Sequence, residues 1–130
     1  MACRMGELVL DCRDPEVLAR FWCEVLDFVE LGREYPEGVD GYAIEIGPRE
    51  GFGGPQPTII LRTGEPAEAK SNLHIDLNPT DRAPEDELER LRQLGARQAD
   101  IGQTGGEPWN VLADPEGNTF CLLKARIDPL

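Results

Sequence analysis

The chain has 130 residues, 40% of them hydrophobic, with 25 acidic against 13 basic side chains and a net charge of −12. This length suits one domain with a real core and would leave two independent domains marginal. The acidic balance argues against nucleic acid and anionic membrane surfaces as partners; it is compatible with a cationic ligand, or simply with solubility.

Glu7 to Cys12 alternate, with Leu8, Leu10 and Cys12 on one side and Glu7, Val9 and Asp11 on the other, which predicts a half-buried strand. Asp14 offers an N-cap oxygen and Pro15 suits the first helical position, where its missing N–H costs nothing. A helix from about Pro15 to Asp27 then places Leu18, Phe21, Trp22 and Val25 on one apolar face. Phe28 to Leu31 reads as a second strand, "YAIEIG" from Tyr42 as a third and "TIILR" from Thr58 as a fourth. The glycine- and proline-rich "PREGFGGPQP" is a loop without the lysine, serine and helix of a phosphate loop. "TGEPAEAKS" is a polar linker.

The order then repeats. Leu73, Ile75 and Leu77 share one strand face; His74 and Asp76 share the other. A helix over Pro84 to Leu94 carries Leu88, Leu91 and Leu94 as its stripe, with acids in its first turn and Gly95 as its stop. "ARQADIG" is a weak strand, and "PWNVLA" and "NTFCLLK" are strands joined by the turn "DPEGN". The count is β-α-β-β-β, twice. Glu7 to Asp14 and His74 to Asp81 share one internal spacing, and Tyr42 and Trp109 stand at the same offset as Glu7 and His74. This predicts a single domain over 1–130 built from two modules, about 6–63 and 72–126, with a linker at about 63–71. Neither module is long enough to bury its own apolar face well.

The four cysteines, Cys3, Cys12, Cys23 and Cys121, form no C-x-x-C pair, so no zinc ribbon or thioredoxin motif is present. "MACRMGELVLDC" lacks the apolar core of a signal peptide, and no apolar run is long enough to span a membrane. The reading is a cytoplasmic protein with reduced thiols. The lone histidine, His74, has no nucleophile elbow near it.

"DPEVLARFWCEVLDF", "LHIDL" and "WNVLADPEGNTFCLL", in this order and across nearly the whole chain, resemble the vicinal oxygen chelate superfamily. That group includes glyoxalase I, extradiol dioxygenases, fosfomycin resistance enzymes and bleomycin-binding proteins; "FW" and "LADPEGNTFC" are most similar to its glyoxalase-like branch. The resemblance implies an α+β fold, in which two βαβββ modules curl a mixed sheet around a cup with helices outside. It also implies metal ligands on the first and last strand of each module. Those positions map onto Glu7, His74 and Cys121, while "TIIL" offers no donor. Imidazole, carboxylate and thiolate are all zinc ligands, yet thiolate departs from the oxygen donors that suit harder ions, and Cys121 also reads as a small core hydrophobe.

Asp11 and Asp76 share the strand faces of Glu7 and His74. They would make a cup acidic, with Arg62 or Arg33 as candidate partners, or else they serve turns. Trp109 and Tyr42 are candidate aromatic walls of a ligand pocket, and His74 is the candidate for hydrogen bonding or proton transfer. The expected function is binding of a small molecule without a complete four-ligand metal site. The alternative is a lyase, isomerase or dioxygenase assisted by one divalent metal ion. The resemblance further implies a homodimer.

Overall fold

The computed structural model describes residues 2–65, 73–100, 106–107 and 109–130. It divides into two compact units, 1–66 and 67–130. Most of the "TGEPAEAKS" linker, the end of "ARQADIG" and Pro108 lie outside the described residues.

Module one runs β1 (Glu7–Cys12), α1 (Pro15–Leu26), β2 (Val29–Glu34), β3 (Ala43–Gly47) and β4 (Thr58–Thr63). The strands order as β1-β4-β3-β2, with β1 parallel to β4 and the other pairs antiparallel. Asp14 caps α1 as its sequence position suggests, accepting from the N–H groups of Glu16 and Val17 at 3.1 and 3.4 Å. The helix ends at Asp27, which adopts φ 54° and closes the last turn through its N–H to the Cys23 carbonyl. A second strand expected to stop at Leu31 continues to Glu34, with a register shift between Glu30 and Gly32. A bulge here breaks the alternation on which a sequence-based end-point depends.

The apolar face of α1 is the expected one: Leu18, Phe21, Trp22 and Val25 are buried, with Phe21 and Trp22 edge to face at 5.1 Å. It lies mainly over β3 and β4. The core is therefore Ile44, Ile46, Ile59 and Leu61 under α1, and Leu8 on the first strand stays 38% exposed.

Module two repeats the plan with β5 (Ile75–Leu77), α2 (Pro84–Leu94), β6 (Arg97–Gln98), β7 (Trp109–Ala113) and β8 (Thr119–Leu123). The order is β5-β8-β7-β6, again with the first strand parallel to the last. Leu91, Val111, Leu112, Phe120 and Leu122 are buried. Leu73 does not join this core; it precedes β5 and is 83% exposed. The helix starts differ as well. Ala83 is the N-cap of α2 and gives no side-chain bond, so Pro84 and three acids in the first turn carry that end. Gly95 ends the helix at φ 119°, where a β-carbon would be strained. The two modules are thus each βαβββ, and the fold is α+β.

Candidate functional site

Alternation gives each sheet one face toward its helix and one open face. In module one the open face reads, across β1 and β4, Glu7 beside Thr58, Val9 beside Ile60 and Asp11 beside Arg62. From β3 it adds Ala43 and Glu45. Arg62 Nε donates to Asp11 Oδ1 at 2.9 Å, and the carboxylate raises the guanidinium pKa. Arg62 is thus the arginine that reaches Asp11. Arg33 is not: its guanidinium is held by Glu16 and Glu30, which push its pKa further up, and it in turn lowers that of Glu16. Glu7 is exposed. Among the described residues the N-cap of α1 is Asp14, and Asp11 pairs with Arg62.

Over this face the β2–β3 loop folds back and lines a half-open pocket of about 320 Å³. Val9, Ile60 and Ala43 form its apolar floor, Pro36 and Val39 its loop wall, and Arg62 one side. Glu34 and Asp40 also border it, and among the described residues neither carboxylate has a hydrogen-bond or ion-pair partner. Gly41 makes the fold-back possible: its φ is 115°, and a β-carbon there would stand 2.9 Å from Thr63. Tyr42 borders the pocket and lies one position before β3. Its ring stacks on Tyr35 at 5.5 Å, and its hydroxyl donates to Glu16 on α1 at 3.3 Å. Desolvation first, then Glu16, raises the Tyr42 pKa. The "GFGGPQP" loop is clasped by Arg4, which donates to the carbonyls of Gly53 and Gly54. The loop that lines this pocket, "EYPEGVDG", is rich in turn residues and carries no motif that marks a site.

Module two presents a different open face. Asp76 pairs with Cys121, and Cys121 with Val111; Trp109 pairs with Leu123 one row along. His74 Nε2 lies 3.1 Å from Asp76 Oδ1. Ligand atoms of His74, Asp76 and Cys121 all fall within 4.8 Å of one another. His74 and Asp76 are about half exposed, while the Cys121 side is 5% exposed in the sheet centre. Ligand atoms of His74, Asp76 and Cys121 thus lie close together on the open face of module two, and Glu7 lies on β1 of module one. A tetrahedral zinc-type ion would separate such donors by about 3–4 Å, so modest rotation of the two exposed side chains fits this set to a small divalent cation. Trp109 is 39% exposed and sits on the same face. In register it corresponds to Ala43 rather than Tyr42, since Ala43 pairs with Arg62 as Trp109 pairs with Leu123.

The turn beside this face has one residue that sequence reading passed over. Asp114 is fully buried and accepts from the backbone of Glu116 and Asn118 and from the Asn118 side chain, at 2.9–3.0 Å. It holds "DPEGN" in shape and so fixes the start of the strand that bears Cys121.

Two four-stranded mixed sheets, each made by one βαβββ unit, define a class of fold. The Glyoxalase-like domain family matches residues 7–123, and the chain belongs to that family, within the vicinal oxygen chelate superfamily. No curated protein sequence matches. Among solved structures, the fosfomycin resistance protein FosX from Mesorhizobium loti is similar at 17% identity and TM-score 0.66, over 95% of this chain and 91% of that one. FosX from Listeria monocytogenes, in complex with Mn(II) and sulfate, is similar at 13% identity and TM-score 0.71, over 96% and 94%. TnmS3, an antibiotic binding protein from Streptomyces sp. CB03234, is similar at 21% identity and TM-score 0.61, over 94% and 95%. At these identities the likeness is one of fold. No helix among the described residues is long and apolar enough to cross a membrane.

Proposed function

We propose that the protein binds a small organic molecule in module one, with an apolar body and an amine or other cationic end. The observation that carries this reading is the pocket over the open face. About 320 Å³ is the lower end of the range for ligand sites, which suits a compact ligand. Its floor is Val9 and Ile60, and its rim carries Glu34 and Asp40 beside the guanidinium of Arg62, whose charge is paired with Asp11. A net negative rim beside apolar surface favours an amphipathic cation, and the net charge of −12 adds long-range attraction. The antibiotic-binding relative supports binding as a use of this fold. The two modules act as one domain, and the protein works as a homodimer. Thermal-shift titration with a panel of small amines and matched neutral and acidic analogues tests the ligand class. Stabilisation by the amines alone is expected, and a preference for acids would sink it. Sedimentation at micromolar concentration tests the dimer.

A second reading has its own observation, the convergence of His74, Asp76 and Cys121 in module two. A divalent ion held there would polarise a neighbouring oxygen of a substrate, as in a metal-assisted lyase, isomerase or dioxygenase. His74 would then serve the ion, and Trp109 would border the bound molecule. Elemental analysis of protein purified without chelator or metal-binding tag separates the readings: metal near one per chain favours the enzyme, and its absence favours binding alone. His74→Ala, at a half-exposed position, is expected to shift stability by less than about 1 kcal/mol while abolishing any metal content.

A further inference from the structure

We infer that the module-one pocket recognises its ligand at two ends, and that the ligand class is a compact amino-ketone or amino-amide. The Glu34 and Asp40 carboxylates take the amine, and the Nη end of Arg62 takes a neutral carbonyl oxygen, with the chain between them lying over Ala43. The inference rests on the first reading above and adds to it a second polar group and its distance from the amine.

One row across the sheet leads to it. Ala43 pairs with Glu34 on β2 and with Arg62 on β4, and Arg62 pairs with Asp11 on β1. Register partners share a face, so the open side reads acid, small residue, base, acid. Glu34, Ala43 and Arg62 all line the pocket. Arg62 engages the acid on the adjacent strand, its Nε donating to Asp11 Oδ1 at 2.9 Å. Among the described residues its Nη groups, which carry most of the guanidinium's N–H donors, have no partner, and neither has the Glu34 carboxylate two strands away.

The spacing of the row sets the ligand's. Strands lie about 4.8 Å apart and side chains stand roughly perpendicular to the sheet, so Glu34 and Arg62 rise about 10 Å from each other. A hydrogen bond of about 2.9 Å at each end leaves about 4 Å between the two ligand atoms, which suits an amine nitrogen and a carbonyl oxygen joined by a short carbon chain. Charge decides between carbonyl and carboxylate. Asp11 already offsets the guanidinium, and Glu34 and Asp40 leave the rim negative. A carboxylate at Arg62 meets that field, whereas a neutral oxygen accepts from the Nη groups without it.

Module two shows that the sheet does not require this row. Trp109 stands there in the place of Ala43, and Leu123 in that of Arg62. A large side chain occupies the position that module one leaves small, and the base is absent.

The test titrates the full chain by isothermal calorimetry with three related probes. β-Alanine benzylamide carries both amine and carbonyl, phenylpentylamine lacks the carbonyl, and N-benzylpropanamide lacks the amine. The first is expected to bind at least about tenfold more tightly than either of the others, since each loses a charge-assisted hydrogen bond. Arg62→Met keeps an apolar stem and is expected to bring the two amines to within about threefold of each other. Glu34→Gln is expected to weaken both amines by about fivefold and to preserve their ratio. Equal affinity of the unaltered chain for the two amines, or a ratio that Arg62→Met leaves intact, overturns the carbonyl assignment while the amine reading stands. Glu34→Gln without effect on either amine overturns the placement of the amine. If N-benzylpropanamide binds as tightly as β-alanine benzylamide, or no probe binds, both readings fall. Should Arg62→Met fail to fold, Ala43→Leu carries the test by filling the space between the two charges. It is expected to weaken β-alanine benzylamide by at least about tenfold, and unchanged affinity overturns the placement over Ala43.

Discussion

The two modules share a plan and differ in what they show on the open face. Against the helices they are nearly interchangeable: Ile59 and Leu61 in one answer to Phe120 and Leu122 in the other, all buried. On the open side Val9, Ile60 and Arg62 answer to Asp76, Cys121 and Leu123. One module has an apolar floor edged by an ion pair, and the other a cluster of donors with an apolar residue where the arginine stood. The helix-facing side must fill space at near-crystalline density, which restricts it to apolar side chains of the right volume. The open side has no such constraint, so chemistry diverges there. Duplicated modules are therefore alike where packing dictates and unlike where a ligand could act.

The largest expected effect tests the shared face. Leu61→Ala and Leu122→Ala remove side chains that are 0% and 1% exposed, and each is expected to cost about 2–5 kcal/mol in denaturant melts. A cost below about 1 kcal/mol for either would break the equivalence of the two cores.

A second contrast lies between the third and fourth strands of each module. Module two closes this connection with fully buried Asp114, module one with a long loop clasped by exposed Arg4. Asp114→Ala leaves partly buried turn N–H groups without their acceptor and is expected to cost about 1–3 kcal/mol. Arg4→Ala is expected to cost less than about 1 kcal/mol, as its bonds are exposed. Comparable melting shifts for the two variants would remove the distinction.

Placing module two's residue in module one probes the open faces. Val9→Asp alters a side chain that is 51% exposed, so stability should change by less than about 1 kcal/mol. Loss of roughly 1 kcal/mol of apolar contact corresponds to about a fivefold weaker affinity for a neutral apolar dye such as Nile red. Undiminished dye binding would move the ligand away from this floor.

The smallest effect concerns acid stability. Arg33 holds the Glu16 carboxylate below its ordinary pKa of 4.5. The folded state thus binds fewer protons there than the unfolded chain. The resulting contribution is present above pH 4.5 and is lost as pH falls through the depressed folded value. Glu16→Gln should therefore narrow the difference between stability at neutral pH and at about pH 3, by a small amount because the pair is exposed. Acid titrations followed by circular dichroism that superimpose for the two proteins would show that Glu16 has no part in it.

Much of this was legible in the residues. Alternation set the faces of β1 and β5, so Leu10 and Ile75 were separable from Val9 and Asp76 before any coordinates. Asp14, Pro15, Pro84 and Gly95 marked helix ends through local chemistry, and the offset between Glu7 and His74 announced the duplication. These signals are local: they depend on the chirality and hydrogen-bonding needs of neighbouring residues, which a sequence states directly. What joins distant residues was not legible. The parallel register that sets Val9 on Ile60 and Asp76 on Cys121 spans 51 and 45 residues in sequence, respectively. Arg62 rather than Arg33 reached Asp11 because register makes them cross-strand partners. Asp76 joined His74 and Cys121 for the same reason, and the loop from Tyr35 to Tyr42 became a pocket wall only when Gly41 turned it against Thr63. Strand pairing is chosen by how two whole faces bury together, and no periodicity within one segment records which partner it will meet.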